Sequence, residues 1–466
     1  MEIFSNGRVV SLDEVLQNKE WRQNYQETIE TKYPNKVVLG IKLNIPGPIK
    51  TNASLKKVFE LGWNKIINSL KDKKLEIFFF NLFLDKITGP EGVVVVSGDI
   101  IPVKKEMITF ESNFLLGRLF DIDVMSKTDK NYQLSRTQLG FEARKCLICE
   151  QDAKICAKTQ KHTLAEIYRE IEKLIEKYMK QDIKNVKIKT VDAALAALLY
   201  EVTVNPKPGL VDPISNGSHL DMDVFTFIDS SQALRPYFSA AYDLAVNFKE
   251  KDLTQLFNEL RKLGMIAEKD MYAATNGINT HKGAIFSLGI FLTAVAYLKK
   301  QQNYSIMALQ QTIKKMLSEL LEDDFKSINM KNNGELTAGE QQFLKYKTRG
   351  IRGEAVDGYP VVFNYGLSYL KASTGSLNQR LLDTFMYIAE HTSDSNLIKR
   401  AHSVAILTEM KNFTAHYFKL GGSKTKEGIE YLYKLDKLFI ERNLSLGGSA
   451  DLLILTIFVA KIEGVI

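Results

Sequence analysis

Cysteine is scarce in this sequence, three in 466 residues and an odd number. That excludes a disulfide framework. The opening stretch "MEIFSNGRVVSLDEV" also lacks the basic-then-apolar pattern of a secretion signal, so the expected compartment is the reducing cytoplasm. Proline is sparse too, at ten residues with no low-complexity tract, which argues against long disordered regions. No apolar run reaches the ~20 residues of a membrane span; the most apolar, Ala284 to Leu298, reads as a buried core helix. Charge is not gathered anywhere. Residues 1–184 hold 30 basic and 25 acidic side chains and the remainder 32 and 30. A nucleic-acid binder concentrates basic charge in a stripe with interleaved aromatics, and none is present. Neither nucleic acid nor membrane is expected as a partner; the mild excess suits small anions or an acidic protein.

What is present changes texture along the chain. Up to about residue 160, short β-branched or aromatic segments bounded by turn residues read as strands: 36–45, 75–84, 92–98 and 115–125. Between the first two lies an amphipathic helix with Thr51 as its expected N-cap. From Thr163 the strand signal fades. A charged helix over 163–181 gives way to polar "DIKNVKIKT" (182–190). Helical patterns follow at 191–203, 231–248, 252–263, 281–300, 303–321, 378–391, 395–411, 425–442 and 449–461. The expectation is two domains: an α/β or α+β nucleotidyltransferase-type domain over 1–184 and an all-α domain over 185–466.

In "GRLFDIDV" (117–124), Asp121 and Asp123 are two apart on a strand and share a face. Paired carboxylates of this kind hold magnesium against substrate phosphates, with Arg118 as a phosphate partner; solvated aspartates on an exposed strand are the plainer reading. "LNIPGPIKTN" (43–52) is a rigid turn feeding a helix start, with Lys50 as an anion ligand. All three cysteines fall in "RKCLICEQDAKICAKTQKH": Cys146, Cys149, Cys156, and then His162. Three sulfurs and an imidazole permit a tetrahedral zinc site. The alternatives are a reduced thiol cluster and a general-base role for His162.

The second half contains a costly loop, "VNPKPGLVDPISNGSHLDMD" (204–223). Pro206 and Pro208 stop a helix; Lys207, Asp212, His219, Asp221 and Asp223 then crowd together, as for a cation or a polar substrate. Three further glycine-rich polar segments open helices. They carry Asn279, His281 and Lys282; Arg349, Arg352, Glu354 and Asp357; and Ser449 and Asp451. Each alone can be a solvated turn. Together they suggest a polyphosphate and metal pocket built on helix N-termini, which favour anions.

"NPKPGLVD", "SHLDMD", "THKGAIFSLG", "RGEA" and "GGSADLL" resemble, in order, the all-helical triphosphoribosyl-dephospho-CoA synthase family. "NIPGPIK", "GRLFDIDV" and "KCLIC…CAKTQKH" resemble the apo-citrate lyase phosphoribosyl-dephospho-CoA transferases. The resemblance implies a fusion that performs two transferase reactions. The C-terminal domain would join the triphosphoribosyl group of ATP to 3′-dephospho-CoA and release adenine. The N-terminal domain would then load phosphoribosyl-dephospho-CoA onto a serine of the citrate lyase acyl carrier protein and release pyrophosphate. On that reading Arg118, Asp121, Asp123, His162, Asp212, Asp221, Asp223 and Glu354 are the catalytic candidates. Lys50, Lys207, His219, Asn279, His281, Lys282, Arg349, Arg352, Ser449 and Asp451 are the binding candidates, and Mg2+ sits on Asp121/Asp123 and Asp221/Asp223. "EMKNFTAHYFKLGG" (409–422) departs from the family pattern at Phe413, Thr414 and Lys419, so no role is assigned there. The other readings are a single-function coenzyme-A-derivative synthase with a carrier-docking N-terminal domain, and a non-enzymatic maturation factor.

Overall fold

A computed structural model describes residues 2–129, 132–320 and 350–466, which form two compact units, Met1–Lys184 and Asn185–Ile466. The first is built on four strands, β1 (Val37–Leu43), β2 (Ile77–Phe83), β3 (Glu91–Val96) and β4 (Phe120–Met125). They pair in the order β2-β3-β1-β4, every neighbour antiparallel. The unit is therefore α+β. The α/β alternative fails because parallel pairing needs a crossover for each strand, whereas here the pairs run in opposite directions.

Alternation along each strand divides the side chains between two covered faces. Val37, Leu39, Ile41, Val94, Val96, Ile122 and Val124 pack with Phe59, Trp63 and Ile66 of α2 (Ala53–Asp72) and Val103 and Met107 of α3 (Ile100–Asn113). Val38, Val93, Val95 and Met125 pack with Ile29 of α1 (Leu12–Lys32). The cap of α2 is Asn52, whose Oδ1 accepts from Leu55 N at 2.9 Å, one residue later than expected; asparagine supplies the same capping oxygen. Asp121 and Asp123 lie on β4 in register with Lys42 and Gly40 of β1.

A short helix α4 (Ala153–Lys158) precedes α5 (Leu164–Thr203), which is continuous through the polar segment 182–190. A break was expected there. Lysine, isoleucine, valine and asparagine are all tolerated in a helix interior, and polarity alone does not end one. The second unit then continues with α6 (Val224–Ala233), α7 (Arg235–Asn247), α8 (Leu253–Ala274), α9 (Lys282–Lys300) and α10 (Ile306–Met316). After the undescribed stretch come α11 (Gly350–Val356), a π-helical turn at Val361–Gly366, α12 (Leu367–Ala372) and α13 (Leu377–His391). The last four are α14 (Ser395–Ala401), α15 (Ile406–Lys419), α16 (Lys426–Glu441) and α17 (Gly447–Ile462). The patterns at 231–248 and 395–411 thus each contain a helix junction, and the one at 252–263 runs on to Ala274.

At the centre are α9 and α17, apolar on nearly every side, as a core helix must be. Most residues from Ala284 to Leu298 and from Ser449 to Ala460 are buried, Asp451 being half-buried, and α9 packs against α7, α8, α10 and α17. By length and composition α9 alone among the described residues could cross a membrane, but most of it is buried in this core. The polar N-termini of α9 and α17 therefore open beside each other, where a cavity lies.

Candidate active sites

The loop 204–223 is held by carboxylates rather than by helix or strand. Asp212 is buried; its Oδ2 accepts from Lys207 N (3.1 Å) and its Oδ1 from Ile214 N and Ser215 N (2.8 and 2.9 Å). Asp436 of α16 accepts from Gly209 N and Ser215 Oγ, both at 2.9 Å. Gly209 is required here: its φ is +70°, and a Cβ would stand 2.4 Å from the Leu444 carbonyl oxygen. Asp223 caps α6, its Oδ1 accepting from Thr226 N and Thr226 Oγ1 at 2.9 and 2.8 Å. Asp221 is exposed. Asp212 and Asp223 thus have structural duties in the loop.

Beneath it is a cavity of about 160 Å³. It is lined by His219, Asn279, His281, Lys282 and Asp451 from the sequence candidates, together with Glu201, Asn396 and Ser445, which sequence reasoning missed. Asp451 sits on the first turn of α17 and reaches the N-terminus of α9 because Gly283 has no side chain there. Its carboxylate has no hydrogen bond among the described residues. Burial, with Glu201 and Asp394 as neighbouring negative charges, pushes its pKa up to about 8.

His281 is 2% exposed. Thr280 Oγ1 donates to Ser230 Oγ (2.7 Å), and Ser230 Oγ lies 2.7 Å from His281 Nδ1. A relay in that direction makes Nδ1 the acceptor and leaves the proton on Nε2. Nε2 is buried without a partner, and burial lowers the imidazole pKa to about 3, so the ring is neutral. An unpaired N–H donor is thus left for whatever occupies the cavity. Lys282 is exposed at the rim and pairs with Glu268 at 2.9 Å. His219 Nε2 meets Ser445 Oγ at 3.2 Å while Arg400 donates to its Nδ1 at 3.4 Å.

The other described candidates do not line this cavity. Lys207, 1% exposed, donates from Nζ to the carbonyl and carboxylate of Glu201; it reaches the cavity only through that pair. Ser449 is buried, with N and Oγ donating to Asp394 Oδ2 at 2.7 and 2.9 Å. Asp394 Oδ1 also caps α14. Glu354 Oε1 accepts from Val361 N at 2.7 Å, and burial followed by the charge of Asp357 raises its carboxyl pKa. Arg352 is exposed, and Arg349 lies outside the described residues.

In the first unit, Asp121 Oδ2 pairs with Lys42 Nζ at 3.0 Å and Asp123 Oδ1 accepts from Gln133 Nε2 at 2.8 Å. Burial and then the charge of Asp121 push the Asp123 carboxyl up; Lys42, Lys104 and Arg22 oppose that shift. Lys50 Nζ donates to Ile45 O at 2.6 Å, and burial and Lys42 lower its pKa. Arg118 does not reach the aspartates by any hydrogen bond among the described residues. It donates to the Lys145 carbonyl, beside Arg136 and Arg144, which pair with buried Glu111. His162 Nε2 is 3.3 Å from Cys149 Sγ, within the cysteine cluster.

A family model described as ATP:dephospho-CoA triphosphoribosyl transferase matches residues 187–465. One described as apo-citrate lyase phosphoribosyl-dephospho-CoA transferase matches residues 10–178. Protein CitXG of Leuconostoc mesenteroides subsp. cremoris is 48% identical over the whole of both chains. The chain belongs to this fused family. Protein CitXG of Haemophilus influenzae is 33% identical over 99% of this chain and 98% of its own. A probable 2-(5''-triphosphoribosyl)-3'-dephosphocoenzyme-A synthase of Lactiplantibacillus plantarum is 51% identical over 58% of this chain and 95% of its own. As a fused-family member the chain is a transferase of citrate lyase prosthetic-group synthesis, and ATP is its substrate.

Proposed function

We propose that Asn185–Ile466 carries the synthase reaction in the cavity between the N-termini of α9 and α17, and that Met1–Lys184 carries the transfer. The observation that supports the first assignment is the pairing, in one cavity, of an unbonded carboxylate with a neutral imidazole donor, Asp451 with His281. In the synthase step the bond from ribose C1 of ATP to adenine breaks and a new bond forms from that carbon to the 2′-oxygen of 3′-dephospho-CoA. The hydroxyl proton must leave, and adenine must gain one. Positive charge develops on the sugar, and Glu201 and Asp451 are placed to stabilise it. Asp451, with its pKa near neutrality, accepts the hydroxyl proton. His281 Nε2–H, His219 and Lys282 bind phosphate or ribose oxygens. Asp212, Asp223, Lys207 and Ser449 shape the walls; Asp221 and Glu354 act at most from outside.

In the transfer step the carrier serine attacks the α-phosphate and pyrophosphate leaves. Asp121 and Asp123 would hold Mg2+: two adjacent carboxylates, one raised in pKa by burial and then by the other, are a donor set that a hard divalent cation suits. When bound there, such an ion would supply positive charge against the leaving pyrophosphate. Lys42, Lys104 and Arg22 are the cations that act on Asp123, and Lys42 and Lys104, with Lys50 beside Lys42, offer phosphate contacts. For Asp221 and Asp223 the fit is poorer, because Asp223 commits Oδ1 to its helix cap.

The test is chemical. Full-length protein with ATP, Mg2+ and 3′-dephospho-CoA should release free adenine, read by chromatography, and then modify apo acyl carrier protein, read as a mass increase on its serine. Formation of ADP or AMP without adenine overturns the synthase assignment.

A further inference from the structure

Neither reaction as described above uses the cysteine cluster directly, yet it has the geometry of a ligand set. We propose that Cys146, Cys149, Cys156 and His162 bind one structural zinc ion, which fixes the segment that Arg118 and Glu111 bind. Their ligand atoms all lie within 4.8 Å of one another. Cys149 Sγ is 3.4 Å from Cys156 Sγ and 3.3 Å from His162 Nε2. Four ligands around a tetrahedral zinc stand roughly 3.5–3.8 Å apart, from Zn–S of ~2.3 Å and Zn–N of ~2.0 Å. A small expansion about Cys149 and a contraction of about an ångström at the widest pair admit the ion.

The backbone presents the ligands as a closed site. Lys145 and Asp152 form a bridge, and Cys146 N donates to Gln151 O at 2.7 Å. The turn between them carries Cys146 and Cys149, and Ile148 N points at Cys146 Sγ at 3.5 Å, as an amide does toward a thiolate. Cys156 is buried on α4 and Lys161 N donates to its carbonyl, which delivers His162 beside it. Four protein ligands leave no open position, the mark of a structural rather than a catalytic zinc. Binding replaces three thiol protons, and the resulting zinc–trithiolate–imidazole carries one negative charge. Arg144, Lys145, Lys154, Lys158 and Lys161 in the same segment can offset it.

The consequence reaches the transfer unit through its neighbours. Lys145 supplies the carbonyl that Arg118 binds, and Arg144 pairs with Glu111 of α3. Both precede Cys146 directly, so the ion would fix the strand segment that positions these guanidiniums. These are positioning residues, acting through other groups.

Elemental analysis of the full chain, purified under reducing conditions without a metal-affinity tag, should find about one zinc per chain. Cobalt reconstitution of the chelated protein should give tetrahedral ligand-field bands and sulfur-to-metal charge transfer, which needs no mutant to fold. Cys149→Ser should lose the metal and lower carrier modification by roughly 10–100-fold while leaving adenine release unchanged. A folded, reduced chain with neither zinc nor a cobalt spectrum overturns the site, as does a Cys149–Cys156 disulfide in freshly isolated protein. Unchanged carrier modification after zinc loss overturns the positioning role. Adenine release is independent of all three, so failure here is distinct from failure of the synthase assignment.

Discussion

A Cβ on Gly283 would stand 2.0 Å from Oδ2 of Asp451. The carboxylate thus occupies the space that any other residue at the start of α9 would fill. Gly283→Ala should favour the helix by about 1 kcal/mol in propensity yet displace Asp451. The expected result is adenine release down about a hundredfold with the thermal midpoint unchanged or raised. A midpoint that falls with activity would make the glycine a packing requirement only.

Asp451 also predicts a pH dependence. Its folded pKa, about 8, lies above that of an unfolded carboxyl, so the folded state holds an extra proton between the two values. Stability should therefore decline as pH rises from ~4 to ~8, by linkage, while adenine release should rise toward pH 8 as the base ionises. Asp451→Asn should flatten the first trend and reduce turnover by ~100-fold or more. Thermal melts and initial rates over the same buffers read both.

His281 titrates the opposite way. Its folded pKa, about 3, lies below that of an exposed imidazole, so stability is lost as pH falls from ~6.5 toward 3. His281→Asn should weaken that acid loss. If Nε2–H binds substrate oxygen, the same variant raises KM more than it lowers kcat. Equal acid sensitivity in variant and parent would mean that folding does not lower the ring's pKa.

Lys207 and Glu201 form a buried ion pair, 1% and 4% exposed. Lys207→Met strands the carboxylate and should cost about 3–5 kcal/mol, a fall on the order of 10 °C in the midpoint. Adding Glu201→Gln should recover much of the stability without the activity. Calorimetry of both variants separates the wall from the chemistry.

The two reactions should also separate. Asp121→Asn with Asp123→Asn should leave adenine release intact and the carrier unmodified, as read by mass spectrometry. Carrier modification at parental rate would remove the metal role of "GRLFDIDV".

Short β-branched runs made the four strands legible, but their order was not, because β1 lies between β3 and β4 through pairings distant in sequence. Polar helix entrances pointed toward the cavity, and His219, His281, Lys282 and Asp451 line it. Glu201 was hidden as one acid in the apolar run "AALAALLYEVTV". Asn396 was hidden in the first turn of a seven-residue helix; the cap signature Asp394-Ser395-Asn396 was the available clue. The loop-holding bonds of Asp212 and Asp223 were not legible, because a structural carboxylate and a catalytic one look alike in sequence until their hydrogen bonds are known.

The loop 204–223 has no helix or strand before α6, yet the amides of Lys207, Gly209, Ile214 and Ser215 all end on the carboxylates of Asp212 and Asp436. Amide hydrogen exchange should therefore treat it as interior. Those four protons should be protected like those of a buried helix, and protonating Asp436, whose carboxyl burial pushes up, should release the Gly209 amide before the surrounding helices open.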